Sequence, residues 1–336
     1  MLQFPLSALQ NYDHIQAAIT MCKSTSTTEA APTQHFDTGE EELMNKCEET
    51  KPMVHPQVRI SQLFDPNENW VLVENGSYAN HFDSLPKSFR VGPWNIACCM
   101  YIFGIFYWVL FNCVECYTNP PQHHEYTYHD VNTWQWKYSA ATCLWTFYIA
   151  HGVTKTDLGW YSWMSYTLQS WTLIMLRHTL STLVPFFPSL APWNEYLRFP
   201  MILQATIVFI IWNLAVMPAV FTQLKTQESR KAFSEWCFNF LLVNLHFMNL
   251  VFAAFSAIWG SPARELNKID LCVALVCSFQ YILVYFFLFD RLGLHFYFIF
   301  SPRSILALVS YTTVLGCIYA GFALWKGLIM DYGHAA

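Results

Sequence analysis

The sequence carries little charge for its size. Only 12% of its 336 residues are charged and 54% are hydrophobic, whereas a soluble domain carries about 25% charged residues. There is no basic stripe, which argues against a nucleic-acid partner. The sequence also lacks a Gly-rich phosphate loop, a GxSxG nucleophile motif, an HExxH zinc motif and internal repeats. The composition is that of a membrane protein.

Two further signals are missing. The start, MLQFPLSALQNYDH, has neither the basic segment nor the apolar core of a secretory signal. The eleven cysteines do not predict a disulfide framework, because seven of them lie inside apolar runs, where cysteine behaves as a small hydrophobe. Those seven are Cys98, Cys99, Cys143, Cys237, Cys272, Cys277 and Cys317.

Hydropathy divides the chain in two. Residues 1–90 are polar, and TSTTEAAPTQHFDTGEEE has the composition of a disordered segment. Residues 91–336 hold the long apolar runs, so we expect an all-α integral membrane protein with six or seven transmembrane helices. The candidate spans are 95–114, 136–151, 163–186, 200–222, 236–259, 269–290 and 305–326, each close to the roughly 20 residues that a crossing needs. The second span is short, and without it the count falls to six.

Positive charge near the span ends predicts the orientation. One side holds eight basic residues: Lys87, Arg90, Lys155, Lys225, Arg230, Lys231, Arg291 and Arg303. The other side holds five: Lys137, Arg198, Arg264, Lys268 and Lys326. The bias favours a cytosolic N-terminus in an endomembrane or the plasma membrane, with the sequon at Asn75 unglycosylated.

The stretch LLVNLHFMNLVFAAF, residues 241–255, carries polar groups in an otherwise apolar span. On a helical wheel, Asn239, His246, Asn249 and Ser256 share an arc of about 100°, while Asn244 points elsewhere. A polar side chain at membrane depth is costly unless it has a partner or faces a cavity. We therefore expect this polar stripe to face the interior of the bundle.

A second polar stripe lies in 163–186, where Thr167, Ser170, Arg177, His178 and Ser181 share one arc. Ionisable groups inside a span are functional candidates. The alternatives are hydrogen bonds that only hold helices together, and a cation or proton pathway.

Depth indicates which groups of the two stripes can meet. At 1.5 Å per residue, Thr167 lies about 6 Å from the start of its span, Ser170 about 10 Å, and His246 about 15 Å from the start of its own. His246 can therefore face either hydroxyl. A hydroxyl beside an imidazole is the minimal pair of nucleophile and base, because the hydroxyl reacts poorly until its proton is removed.

The pattern SWMSYTLQSWTL, followed after a long gap by NLHFMN, resembles the androgen-induced and rolling-stone-like families of multi-pass membrane proteins. The resemblance covers about 130–326 and extends to DRLGLHFYFIFSP before the last span. Members of the androgen-induced branch hydrolyse fatty acid esters of hydroxy fatty acids with an intramembrane threonine and histidine. The rolling-stone branch has the same architecture without an established reaction.

The resemblance implies that Thr167 corresponds to the family threonine and His246 to the family histidine. Thr167 would attack the acyl carbonyl, His246 would act as base and then acid, and Asn249 would position the imidazole or the oxyanion. Ser170, His178 and Arg177 are supporting candidates. The expected partner is a membrane lipid or fatty acyl ester, and the chemistry requires no metal or organic cofactor. The alternative is a non-enzymatic transporter, receptor-like or partner-binding protein.

Two other groups of residues have alternative interpretations. Cys113 and Cys116 precede His123, His124 and His129, a spacing that a zinc site or a polar surface loop could produce. At the end of the sixth span, Asp290, Arg291 and His295 could form an interfacial charged cluster, bind a lipid carboxylate or orient a histidine.

Overall fold

The computed structural model describes residues 94–119, 126, 128–156, 159–224, 226–262, 264–290 and 297–333. Helices account for most of the described residues, and these contain no β-strand. The predicted disordered region 1–90, with the sequon at Asn75, lies outside the described residues.

Eleven α-helices make up this described part. They are α1 Ile96–Thr118, α2 Trp134–Thr154, α3 Tyr166–Leu183, α4 Ala191–Tyr196, α5 Arg198–Ile210, α6 Met217–Gln223, α7 Gln227–Cys237, α8 Phe240–Val243, α9 Asn249–Ile258, α10 Lys268–Val284 and α11 Leu306–Gly333. Three π-helical segments interrupt or extend them at Ile211–Val216, Asn244–Met248 and Tyr285–Phe289. As a result α5 runs on into α6, and α8 runs on into α9.

Within the described residues, five helical stretches are long and apolar enough to cross a membrane. They are Ile96–Thr118, Pro188–Leu214, Phe240–Ile258, Lys268–Phe289 and Leu306–Tyr332. The predicted spans at 136–151 and 163–186 form helices α2 and α3, which are not among these five. Their polar content explains the difference, since α3 carries Gln169, Arg177 and His178 within 18 residues.

The helices pack around α5, which contacts α3, α9, α10 and α11. Ten of the thirteen residues of α5 are buried. At the periphery, α1 and α11 expose large apolar side chains, including Met100, Tyr107, Val309 and Leu324. An exposed apolar surface on helices of this length is what contact with lipid requires.

The chain reverses direction from each long helix to the next, so the bundle has two ends. We call the end where α3, α8 and α11 begin the Thr167 end, and the opposite end, where α5 and α10 begin, the Arg177 end. Helix α3 and the Phe240–Ile258 stretch both start at the Thr167 end and therefore run parallel.

The predicted span 236–259 begins later than expected. Helix α7 ends at Cys237, and Asn239 is the N-cap of α8, where its side chain accepts a hydrogen bond from the backbone of Leu242 at 2.9 Å. Asn239 is exposed. Its assignment to the inward polar stripe is therefore wrong, because a helical wheel assumes that the helix continues through a residue that in fact caps it.

Candidate functional site

Helix α3 and the Phe240–Ile258 stretch meet in register. Three side-chain pairs join them with the same sequence offset of 79 residues: Thr167 with His246, Ser170 with Asn249, and Arg177 with Ser256. A constant offset over three helical turns requires parallel helices with matched rise. The two predicted polar stripes therefore form one continuous seam, as the sequence suggested.

The first pair brings the predicted hydroxyl and imidazole together. Thr167 Oγ1 lies 3.5 Å from His246 Nε2, and the two side chains are 9% and 8% exposed. The predicted proximity of the two helices at this point is confirmed. Ser170, the other hydroxyl that depth allowed, is one turn deeper and bonds to Asn249 instead.

The backbone fixes the orientation of the imidazole. His246 Nδ1 lies 3.1 Å from the carbonyl oxygen of Leu242. A carbonyl can only accept, so Nδ1 carries the proton and Nε2 presents a lone pair to Thr167. His246 is in the π-helical segment Asn244–Met248, where the backbone N–H of Asn249 bonds five residues back to Asn244. The chain thus supplies a base in the tautomer that can accept a hydroxyl proton.

A neighbouring π-helical segment covers the imidazole. The indole of Trp212 stacks on the His246 ring, with centroids 4.0 Å apart and an angle of 19° between the planes. Asn213 Nδ2 donates to the backbone carbonyl of His246 at 3.1 Å. Both residues belong to Ile211–Val216. Neither was identified from the sequence, because an apolar span that contains Trp and Asn gives no sign of which partner they contact.

Tyr297 borders Thr167 from another side. Its hydroxyl lies near the Thr167 side chain and the backbone of Tyr166 and Thr167, in the first turn of α3. Burial raises the pKa of Tyr297, and the proximity of Thr167 and Tyr166 offsets this only in part. The phenol therefore stays protonated at neutral pH. Tyr297 lies in the DRLGLHFYFIFSP segment, which was the only sequence signal for it.

The third π-helical segment is also next to this group. Tyr285, in Tyr285–Phe289, donates its hydroxyl to the backbone carbonyl of Tyr297 at 2.8 Å. All three π-helical segments of the described chain therefore support Thr167, His246 or Tyr297. Such segments are rare and occur frequently at functional sites.

Asn249 is positioned differently from the expectation. Its Nδ2 donates to Ser170 Oγ at 3.2 Å and to the carbonyl of Leu245 at 3.1 Å, and its Oδ1 accepts from Ser170 at 3.3 Å. The Asn249 amide nitrogen thus donates to Ser170 and to the Leu245 carbonyl, and neither contact involves the His246 ring. Asn249 and Ser170 form a fully buried link between the helices rather than an oxyanion donor.

Arg177 belongs to a separate site at the opposite end of the seam. It lies ten residues after Thr167 on α3, a rise of about 15 Å. Its guanidinium donates to Ser256 Oγ, to Ser261 Oγ at 2.6 Å and to the Asn194 carbonyl at 3.2 Å. The expectation that it supports the same site as Thr167 is wrong, because the helical wheel gives direction but not depth.

A buried ion network surrounds Arg177. Glu195 lies 3.8 Å from Arg177, 3.7 Å from Arg198 and 2.7 Å from Arg264, and Arg264 holds Asp270 with contacts of 2.6 and 2.7 Å. Burial alone would lower the pKa of Arg264, but the hydrogen bonds and charges of Asp270 and Glu195 outweigh it and raise that pKa. Arg177 is therefore a buried partner for Glu195.

His178 lies beside this network and also far from Thr167. It is fully buried, and neither of its ring nitrogens has a hydrogen-bond partner among the described residues. Its ring meets Tyr138 edge-on, with centroids 5.4 Å apart. His178 is therefore not part of the Thr167 group. Ser181 bonds to Asn194 at 2.7 Å, as expected of a helix-packing contact.

The two remaining candidate groups are only partly described. No group of three or more His, Cys, Asp or Glu in the described ranges could hold a metal ion, and His123 and His124 lie outside those ranges. Asp290 is fully buried, pairs with Arg303 at 3.2 Å and accepts from Trp94 at 2.7 Å and Ser301 at 2.8 Å. The interfacial interpretation of Asp290 is wrong. Arg291 and His295 are outside the described residues.

The chain was compared with models of protein families, with curated proteins and with solved structures. None of the three comparisons gives a match.

Proposed function

We propose that the protein hydrolyses lipid esters inside the membrane, with Thr167 as nucleophile and His246 as general base. One observation carries the proposal: the 3.5 Å approach of Thr167 Oγ1 to the Nε2 of an imidazole whose Nδ1 is held by a backbone carbonyl. Nucleophile, base and orienting group are the minimal set for acyl transfer through a hydroxyl. The distance is at the long end for a hydrogen bond, as is common for catalytic pairs without substrate.

The first step forms an acyl-enzyme. Thr167 Oγ attacks the ester carbonyl carbon while its proton moves to His246 Nε2. The tetrahedral intermediate collapses by breaking the bond to the alcohol oxygen, which takes the proton from His246. In the second step a water gives its proton to His246 and attacks the acyl carbon. The acid leaves, and Thr167 regains its proton.

The oxyanion of this intermediate needs donors that are already oriented. Thr167 is the second residue of α3, where backbone N–H groups lack acceptors within the helix. The side chain of Ser165 caps the N–H of Leu168, and the hydroxyl of Tyr297 faces the backbone of Tyr166 and Thr167. We assign oxyanion stabilisation to the Tyr297 hydroxyl and to this first turn, in place of Asn249.

The position of Thr167 in the helix bundle supports a lipid substrate. Thr167 is within the first turn of its helix, close to one end of the bundle, and the surrounding outer helices present apolar side chains. An ester whose chains lie among the helices could present its carbonyl at that depth. The substrate class we propose is a long-chain fatty acid ester of the hydroxy fatty acid type, in line with the resemblance of the Thr167 and His246 segments.

The proposal includes seven spans with the Thr167 end toward the cytosol. Helix α3 keeps register with the Phe240–Ile258 candidate span from Thr167 to Arg177, so it occupies the same depth. Helix α2 packs along α3. Their polar residues turn inward and find partners, which removes most of the cost of placing such helices in lipid.

Ester hydrolysis by the purified full-length protein tests the function. Thr167→Ser keeps a hydroxyl and should retain activity, whereas Thr167→Ala should abolish turnover of a long-chain ester. Thr172→Ala is the matched control, because the Thr172 hydroxyl bonds only to the backbone of its own helix at Leu168. If folded Thr167→Ala protein, checked by thermal unfolding, hydrolyses the ester as fast as the parent, Thr167 is not the nucleophile.

A further inference from the structure

Two thiols from distant parts of the sequence meet at the Arg177 end. Cys116, in the last turn of α1, places its Sγ 3.0 Å from the Sγ of Cys272, in the second turn of α10. The two residues are 156 positions apart in the chain. The separation is about 1 Å longer than a disulfide bond of roughly 2.05 Å. Both thiols are free in this structure.

The helix ends that carry these thiols are held together independently. Lys268 pairs with Glu115 at 3.2 Å, next to Cys116. The thiol of Cys272 also contacts the carbonyl of Asn112 at 3.4 Å. These contacts bring the end of α1 against the start of α10 and hold the two sulfur atoms near each other.

The surroundings allow an oxidant to reach the pair. The side chains of Lys268 and Glu115 are 77% and 41% exposed, so this part of the interface is at the bundle surface. Cys116 is partly exposed, while Cys272 is buried beneath it. An accessible thiol in contact with a buried one is the arrangement in which a mixed disulfide at the first can be resolved by the second.

We propose that Cys116 and Cys272 form a disulfide that joins α1 to α10 at the Arg177 end. The oxidant is a dithiol–disulfide oxidoreductase of an oxidising compartment. Cys116 attacks its disulfide, Cys272 displaces the mixed disulfide, and the S–S bond forms as both thiol protons are lost. The two electrons leave with the oxidant, which is reduced to its dithiol. The inference is independent of the hydrolase function and requires that the Arg177 end faces away from the cytosol, as the charge bias predicts.

Mass spectrometry of protein from intact cells tests this. Free thiols are blocked with N-ethylmaleimide before lysis, and the full-length protein is digested without reductant. We expect a peptide linked through Cys116 and Cys272 in most molecules of the parent and of Cys113→Ser. Cys113 lies one turn earlier on α1, so Cys113→Ser is the matched control. Cys116→Ser and Cys272→Ser should each lose the linked peptide.

Detection of N-ethylmaleimide on both Cys116 and Cys272 in the parent overturns the proposal. The proposal is overturned even if oxidised glutathione later joins the two thiols in purified protein. Free thiols in intact cells would mean that the pair faces a reducing compartment. A linked peptide between Cys113 and Cys272 overturns the assignment of partners. A second measurement needs no variant: a reductant should lower the thermal unfolding temperature of the parent if the disulfide is present.

Discussion

The two ends of the seam between α3 and the Phe240–Ile258 stretch are bonded in opposite ways. At the Arg177 end, a guanidinium is surrounded by acceptors, and three arginines share Glu195, one of which, Arg264, also pairs with Asp270. At the Thr167 end, a hydroxyl and an imidazole meet at 3.5 Å, supported by π-helical backbone. The charges at the Arg177 end are paired with one another, which suits that end to a structural role. The loosely bonded pair at the Thr167 end can still bind a reacting group, and the proposed chemistry depends on that difference.

Replacing the base should have the largest effect. His246→Gln keeps the size of the side chain and its hydrogen bonds but cannot carry a proton, so we expect ester turnover to fall by about 10²–10⁴-fold. Thermal unfolding should change little. His178→Gln is the matched control, because His178 is a buried histidine at the Arg177 end. If both variants lose turnover equally, the distinction between the two ends is wrong.

Breaking the charge network should have the largest effect on stability. Arg177→Met removes the cation while Ser256, Ser261 and Glu195 remain buried, and we expect a loss of about 3–5 kcal/mol in the free energy of unfolding. The measurement is unfolding of the purified protein in detergent. Lys231→Met, in an exposed pair with Glu235, should cost about 0–1 kcal/mol. An Arg177→Met protein as stable as the parent contradicts a structural role for this end.

Tyr297→Phe tests the assigned oxyanion donor. Loss of one such donor costs about 10²–10³-fold in kcat in other enzymes, and we expect a loss in that range. Tyr138→Phe is the comparison at the Arg177 end, where the phenol donates to the carbonyl of Phe252 at 3.0 Å. It should leave kcat unchanged. If Tyr297→Phe hydrolyses the ester at the rate of the parent protein, groups other than the Tyr297 hydroxyl stabilise the oxyanion.

Ser170→Ala should have the smallest effect. Ser170 bonds to Asn249 and not to His246, so its loss should cost on the order of 1 kcal/mol of stability and change turnover by less than about threefold. Ester kinetics and thermal unfolding of the same sample measure both. Abolished hydrolysis with intact folding would make Ser170 the nucleophile in place of Thr167.

Periodicity and depth predicted the central part of the site. Both polar stripes face inward, and Thr167 meets His246, because a regular helix converts sequence spacing into direction and rise. Periodicity alone failed for Asn239, where the helix had not yet begun. It also failed for Arg177, which shares a face with Thr167 but lies about 15 Å along the helix from it.

The remaining features depend on contacts between distant segments. Trp212 and Tyr297 reach the site through loops and through π-helical turns, which depart from the spacing that a helical wheel assumes. The number of membrane spans is also difficult to read from the sequence. The sequence predicts spans at 136–151 and 163–186, but the corresponding helices α2 and α3 are not among the five stretches that are long and apolar enough to cross a membrane. The two helices pack against each other, and many of their polar side chains are buried.

Covalent labelling of Thr167 tests the central claim most directly. A fluorophosphonate with a long alkyl chain is added to purified full-length protein, and the modified residue is located by peptide mass spectrometry. We predict one adduct on Thr167, absent in Thr167→Ala, strongly slowed in His246→Gln and unchanged in Thr172→Ala. An unlabelled parent protein, or an adduct on Ser170 or Thr172 alone, would contradict the claim that Thr167 and His246 act as nucleophile and base.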